Sequence, residues 1–123
     1  PLTEQTRGLL DATTLGLLPG HARVVNVGRG ALIVQDDLVE ALREGRIGGA
    51  ALDVFEVEPL PRSSPLWELD NVIVSPHMSG DIVGWRDALV DLFVENLTRF
   101  REGRELRNVV DPDRGYVSTG GRP

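Results

Sequence analysis

Residues 71–80 read Asn-Val-Ile-Val-Ser-Pro-His-Met-Ser-Gly, a short apolar run that stops at a serine and a proline. Two similar runs come before it, Arg23-Val-Val-Asn-Val27 and Gly48-Gly-Ala-Ala-Leu-Asp-Val-Phe55. Apolar residues occupy successive positions in these runs, which is typical of parallel strands that are buried on both faces. The three runs therefore predict three parallel strands, each covered on both sides.

A helix is predicted between the first two of these strands. Residues 35–44 place Leu38, Ala41 and Leu42 on one face, so the segment has an apolar side that can pack on a sheet. Its first turn is acidic and Gly45 follows its end, and both features are typical of helix termini.

Further helices are expected at the start of the chain and after the third strand. Within residues 3–19, Thr3 and Asp11 are suitable N-caps for short helical pieces. The later helix is long, ends near Gly103, and has apolar residues at spacings of three and four: Ile82, Trp85, Leu89, Phe93, Leu97 and Phe100.

Short strands that alternate with helices predict an α/β fold with a parallel sheet of the Rossmann type. Three strands are only part of a doubly wound sheet, so we expect about half of such a domain. Residues 113–123 contain three glycines and are expected to be a flexible tail.

The composition excludes several classes of protein. The 123 residues suffice for one domain, and the net charge is −6 with scattered positive charges, which argues against a nucleic-acid partner. No stretch approaches the ~20 apolar residues of a membrane span. The absence of cysteine excludes disulfides and thiol catalysis. The chain opens without the features of a signal peptide, so we expect a cytoplasmic protein.

Chemically useful residues follow each predicted strand: Arg29 after the first, Asp53, Glu56 and Glu58 after the second, and Ser75 and His77 after the third. Ligands of open parallel sheets bind outside the carboxyl ends of the strands, so these side chains are expected along one edge. Each has an ordinary explanation by itself, as an exposed turn residue, a cap, a solvated acid or a structural histidine. Their joint placement favours a site.

The residue types fit one chemistry. Arginine grips a carboxylate through two hydrogen bonds, and histidine can donate and accept a proton near neutral pH. A carboxylate beside the histidine orients the ring. An arginine that binds a substrate carboxylate, together with a histidine that transfers a proton, indicates redox chemistry at a hydroxyl carbon. The hydride would be transferred to a nicotinamide. Hydrolysis by Ser75 or Ser79 with His77 and Asp53 is an alternative, but the chain lacks the G-x-S-x-G elbow.

Over residues 1–112 the chain resembles the NAD-dependent D-isomer-specific 2-hydroxyacid dehydrogenases. The resemblance implies that residues 1–112 are a partial NAD-binding domain, the C-terminal half of a doubly wound one. Four blocks in order carry the resemblance: Pro1-Leu-Thr-Glu-Gln-Thr-Arg-Gly8, Asn26-Val-Gly-Arg-Gly30, Ala51-Leu-Asp-Val-Phe-Glu-Val-Glu-Pro-Leu60 and Ser75-Pro-His-Met-Ser-Gly80. The resemblance implies a small 2-keto or 2-hydroxy acid as substrate and NAD as cofactor, with NADP not excluded. The family is commonly dimeric, so a homodimer is one possible assembly.

The resemblance also implies individual roles. Arg29 would bind the carboxylate and carbonyl of the substrate, and His77 would protonate the carbonyl. Glu58, rather than Glu56, would pair with His77, because the family's glutamate directly precedes Pro-Leu or a similar pair. Asp53 would face the nicotinamide, and the residues that line the cofactor would be Pro1, Val27, Gly28, Arg29, His77, Ser79 and Gly80. Ser79 stands where many members have glycine or alanine.

The phosphate-binding turn G-x-G-x-x-G of this family is not found. Gly28-Arg-Gly30 begins such a pattern, but Ile33 replaces the third glycine, and Asp36 and Asp37 would repel a pyrophosphate. In the family this turn lies upstream of the segment that matches Pro1, and the only methionine here is Met78. We therefore expect either the catalytic half of a dehydrogenase or a truncated, inactive fragment that acts at most as a binding or dimerisation module.

Overall fold

The computed structural model describes residues 1–117 and divides the chain into two compact units, the first being Pro1–Gly80. The first unit contains a three-stranded sheet of β1 (Arg23–Asn26), β2 (Gly49–Leu52) and β3 (Val72–Val74) in the order β1-β2-β3. Both strand pairs are parallel, which confirms the predicted α/β class. None of the helices within residues 1–117 has the length and apolar character needed to cross a membrane.

The strand register aligns the carboxyl ends of the three strands. Asn26 is the partner of Leu52, and Leu52 is the partner of Val74. The residues that follow these three positions therefore leave the sheet along the same edge, as the sequence predicted.

Two helices cover one face of this sheet. They are α1 (Ala12–Gly16) and α2 (Gln35–Arg43), which pack on each other, and the predicted apolar face of α2 is buried. The core contains Leu15, Leu38, Ile47 and Leu66 as its largest fully buried side chains. Two short 3₁₀ helices, at 30–32 and 65–68, complete this unit.

The prediction that each strand is covered on both faces is wrong. In β1, Val24 is buried, whereas the side chain of Val25 is 66% exposed, and Ile73 of β3 is 71% exposed. The burial alternates because successive side chains of a strand point to opposite faces and the helices of this unit cover only one of them.

The predicted caps at the start of the chain have different outcomes. Asp11 caps α1 by accepting the amide of Thr14 at 2.9 Å, in a reciprocal capping box. Thr3 caps no helix, because residues 4–8 form turns. The backbone N–H of Thr3 instead donates to the hydroxyl of Thr6 at 2.8 Å. Local side-chain bonds of this kind compete with helix formation.

The second unit starts at Asp81 and contains α3 (Trp85–Arg101). The helix is followed by Gly103 at φ +68 and by a hairpin of β4 (Val110–Asp111) and β5 (Tyr116–Val117). The predicted apolar stripe is present on α3, but it is exposed, with Phe93 at 68% and Phe100 at 73%. The predicted tail, residues 113–123, begins inside this hairpin, and residues 118–123 lie outside the described part.

Candidate active site

Asn26 shapes the turn that follows β1. Its side-chain amide donates to the carbonyl of Arg29 at 3.0 Å, and its Oδ1 accepts the backbone N–H of Gly28 at 3.1 Å. The residue is buried at 5% exposure, so both bonds form away from water. Sequence reasoning gave Asn26 no role, although a buried amide at the end of an apolar strand is the kind of residue that fixes a turn.

Gly30 brings this turn against the segment that follows β2. A Cβ atom on Gly30 would lie 1.9 Å from both the carbonyl carbon and the carbonyl oxygen of Phe55. Only a residue without a side chain permits this approach. The Arg29 turn therefore lies directly beside the segment that leads from Asp53 to Glu58.

The Arg29 guanidinium is exposed and points back to its own turn, where Nη1 donates to the carbonyl of Gly28 at 2.7 Å. This is the only hydrogen bond that the guanidinium makes within residues 1–117. The structure thus brings the backbone of the Arg29 turn to the other strand ends, but it does not join the guanidinium to Glu58 or His77.

His77 and Glu58 form a close pair. The Nδ1 atom of His77 lies 2.7 Å from Oε2 of Glu58, and the second carboxylate oxygen accepts the backbone N–H of Phe55 at 2.9 Å. The hydrogen bond from His77, followed by that from Phe55, lowers the pKa of the Glu58 carboxyl from its ordinary value. An ionised Glu58 holds the proton on Nδ1 and leaves Nε2 for another partner.

Glu56 has a different partner. Its Oε1 accepts the backbone N–H of Gln35, the first residue of α2, at 2.9 Å. The carboxylate thus satisfies a free amide at the positive end of the helix. Of the two glutamates considered from the sequence, Glu58 is the one beside His77.

Asp53 is buried at 2% exposure, and its carboxylate faces the loop that carries His77. Oδ1 accepts the Ser75 hydroxyl at 2.5 Å and the Met78 amide at 2.9 Å, and Oδ2 accepts the Ser79 amide at 2.8 Å. These donors, the Ser75 hydroxyl first, hold the pKa of the Asp53 carboxyl far below its usual range. That Asp53 also faces a nicotinamide stays a prediction.

These contacts disfavour the hydrolase alternative. The Ser75 hydroxyl donates to Asp53, and within residues 1–117 the His77 ring is hydrogen-bonded to neither Ser75 nor Ser79. An activated serine needs a base within hydrogen-bond reach of its own hydroxyl.

A cleft of about 500 Å³ lies beside the His77–Glu58 pair. Its wall is mostly apolar, and its lining residues are Phe55, Glu58, Pro59, Leu60, Trp67, Val74, Ser75, Pro76 and His77. A mostly apolar cleft with a few polar groups at one point is typical of a small-molecule site.

The comparisons with known proteins agree with this geometry. The profile of the family described as D-isomer specific 2-hydroxyacid dehydrogenase, NAD binding domain, matches residues 1–79. The chain belongs to this family.

Relatives of this dehydrogenase family are similar over most of the chain. A glyoxylate/hydroxypyruvate reductase A of Arabidopsis thaliana is 44% identical over 107 residues, which are 86% of this chain and 34% of that protein. The glyoxylate/hydroxypyruvate reductase A of a Klebsiella pneumoniae strain is 38% identical over 116 residues, which are 94% of this chain and 36% of the Klebsiella protein. The chain thus spans about a third of the length of these two relatives.

Solved dehydrogenases have the same fold. A D-isomer specific 2-hydroxyacid dehydrogenase from Xanthobacter autotrophicus Py2, in complex with NADPH and MES, superposes with a TM-score of 0.83 at 48% identity, covering 94% of this chain and 47% of that one. The NADPH-dependent glyoxylate/hydroxypyruvate reductase of Sinorhizobium meliloti, in complex with NADP and sulfate, superposes with a TM-score of 0.85 at 39% identity. The match covers 94% of this chain and 38% of the reductase chain.

The residues present fit one end of the dinucleotide that the family name implies. The predicted cofactor residues Val27, Ser79 and Gly80 are exposed and Gly28 is half-buried, so the strand-end edge is open to solvent at these positions, as a nicotinamide would require. Pro1 is also exposed, and its carbonyl accepts the Thr6 hydroxyl at 3.0 Å. Binding by these residues stays a prediction.

The start of α2 does not fit the pyrophosphate. Its first amide already donates to Glu56, and Asp36 and Asp37 stand in its first turn. A pyrophosphate there would meet three carboxylates instead of free N–H groups. Residues 28–33 form a turn and a 3₁₀ helix rather than a phosphate cradle, in agreement with the sequence prediction.

Proposed function

We propose that these residues form the substrate end of an NAD(P)-dependent oxidoreductase that transfers hydride between a nicotinamide and a small D-2-hydroxy acid or 2-keto acid. The observation that carries the proposal is the pair of His77 and Glu58, 2.7 Å apart at the carboxyl edge of a parallel sheet. Family membership supports the same reaction.

In this proposal, Arg29 binds the substrate carboxylate through two parallel hydrogen bonds, for which its guanidinium must turn away from Gly28. The bound nicotinamide supplies a hydride to the keto carbon. His77 gives the proton on Nε2 to the carbonyl oxygen, so the two-electron reduction adds one hydride and one proton and yields the hydroxy acid. Glu58 orients the ring and stabilises the imidazolium before transfer.

The named relatives guide the choice of substrate. Glyoxylate and hydroxypyruvate are the keto acids in the names of the plant and bacterial reductases, and NADPH or NADP occupies two similar structures. We propose a keto acid of this size, with either NAD or NADP as cofactor. A homodimer, as one possible assembly, and the cytoplasmic location remain proposals beside it.

The proposal is tested by assaying keto-acid reduction by the protein produced from its complete reading frame. We expect His77→Ala to lower kcat by roughly 10²–10⁴-fold, the range for a general acid. Arg29→Ala should chiefly raise KM. His21→Ala is the matched control, because it removes the only other histidine, which is exposed and precedes β1 at the opposite edge of the sheet.

Unchanged turnover in His77→Ala would refute the proposal. A wild-type protein that neither reduces keto acids nor binds NADH or NADPH in calorimetry would favour the alternative, a module that binds or dimerises without turnover.

A further inference from the structure

The loop that carries His77 is fastened on both sides of the histidine to a single buried carboxylate. Ser75 precedes His77 and donates its hydroxyl to Asp53, and Met78 and Ser79 follow it and donate their amides. The Ser75 amide also continues the ladder to β2, at 2.9 Å from the carbonyl of Leu52. The strand end is thus anchored by both the backbone and the side chain of one serine.

His77 itself has an unusual backbone conformation. Its φ is +53, in the left-handed region that residues with a side chain seldom adopt. Pro76 precedes it and has no N–H to donate. A conformation of this kind persists only when surrounding bonds impose it. Bonds to Asp53 are made on both sides of His77, by Ser75 before it and by Met78 and Ser79 after it.

We propose that Ser75 is a positioning residue for His77: its hydroxyl bond to Asp53 fixes the loop in the conformation in which Nδ1 of His77 meets Glu58. This bond comes from a side chain, so a substitution at Ser75 can remove it while the amides of Met78 and Ser79 remain. The role in catalysis rests on the proposed function, whereas the positioning itself does not.

The Glu58 carboxyl reports on this positioning. Its pKa is lowered first by the hydrogen bond from His77, while the nearby Asp53 carboxylate acts in the opposite direction. If the loop relaxes and His77 moves away, Glu58 loses its main stabilising partner. A loss of overall stability that leaves the folded loop intact would not change this pKa.

The test uses the full 123-residue chain. Carbon-13 NMR follows the Glu58 carboxyl through a pH titration, with the resonance assigned from a Glu58→Gln sample, and hydrogen exchange follows the Met78 and Ser79 amides. The variants are Ser75→Ala, Ser75→Thr, which keeps a hydroxyl, and Ser63→Ala as the control, because Ser63 is exposed and makes no hydrogen bond within residues 1–117.

We expect Ser75→Ala to move the Glu58 pKa up toward its ordinary value and to speed exchange of both amides at least ~10-fold, as expected for a loop that opens locally. Ser75→Thr should keep the wild-type values, and Ser63→Ala should change neither. An unchanged Glu58 pKa in folded Ser75→Ala, or a Thr variant that behaves like the Ala variant, overturns the proposal.

If Ser75→Ala does not fold, hydrogen exchange of the Met78 and Ser79 amides in the wild-type protein tests the proposal instead. Protected Met78 and Ser79 amides support the proposal, and amides that exchange at the rate of an open chain overturn it. Because no step of this test needs turnover, a failure of the proposed hydride transfer and a failure of the Ser75 role give different results.

Discussion

Gly30 shows how a single residue sets the geometry of the site. Its missing side chain lets the Arg29 turn lie against the backbone of Phe55, which continues toward Glu58. The sequence contains Gly-Arg-Gly, and this pattern alone does not say which glycine is needed for a close approach.

Gly30→Ala is expected to destabilise the protein strongly. The new Cβ would lie 1.9 Å from backbone atoms of Phe55, so one of the two segments must move. Overpacking of this kind costs roughly 1–3 kcal/mol or more. Urea unfolding of the chain measures the change.

Gly16→Ala is the matched control for this substitution. Gly16 lies in α1, and a Cβ there would meet nothing within 4 Å. Alanine is favoured over glycine in a helix, so the control should be neutral or slightly stabilising. Equal losses of stability in the two variants would contradict the close approach at Gly30.

At the scale of elements, α2 contributes one buried face to the core of the first unit. Leu38 and Leu42 are buried at 1% and 3% exposure, and the opposite face of the helix is charged. α3 also has an apolar stripe in its sequence, yet this stripe is exposed. Periodicity therefore predicts that a helix forms, but it does not predict what covers the helix.

Leu38→Ala should cost about 2–5 kcal/mol, because it removes a fully buried side chain and leaves a cavity. For a domain of this size, this is a large part of the total stability. Arg43→Ala, an exposed change in the same helix, should stay within about 0.5 kcal/mol. Chemical denaturation of both variants tests the expectation, and a Leu38→Ala protein as stable as Arg43→Ala would contradict the packing described.

At the scale of the whole molecule, several carboxyls are more acidic in the folded state than in the unfolded state. Their pKa values are lowered by hydrogen bonds, from Ser75 at Asp53, from His77 at Glu58, from Arg107 at Glu95 and from Thr14 at Asp11. The unfolded chain therefore binds more protons than the folded chain once the pH falls to the ordinary carboxyl range.

We expect the free energy of unfolding to be highest above pH 4.5, the ordinary value for glutamate, and to decrease as the pH falls through the lowered values. Thermal melts between pH 6 and pH 2 (a range chosen around the ordinary carboxyl values) measure this. Asp53→Asn should flatten the dependence, whereas Asp70→Asn, at an exposed carboxylate without a hydrogen bond within residues 1–117, should not. A protein whose melting temperature does not change over this range would contradict the prediction.

The sequence by itself determined the elements and their chemistry. The three apolar runs became β1, β2 and β3, the stripe of Leu38, Ala41 and Leu42 became the buried face of α2, and Asp11 became a cap. These features depend on neighbours within a few residues, so local patterns are enough to predict them. The residues along the strand-end edge were found for a similar reason, because parallel strands end together.

Only the tertiary structure decided which groups meet. Glu58 and His77 are 19 residues apart, and Asp53 binds donors 22 to 26 residues away, so the path of the intervening loop selects their partners. It also decided that Val25 and Ile73 are exposed, because the burial of a strand depends on what lies over each face. Contacts between distant residues require the packed chain. Only the resemblance to the family had named Glu58 in advance as the partner of His77, and nothing in the sequence had named the donors that Asp53 binds.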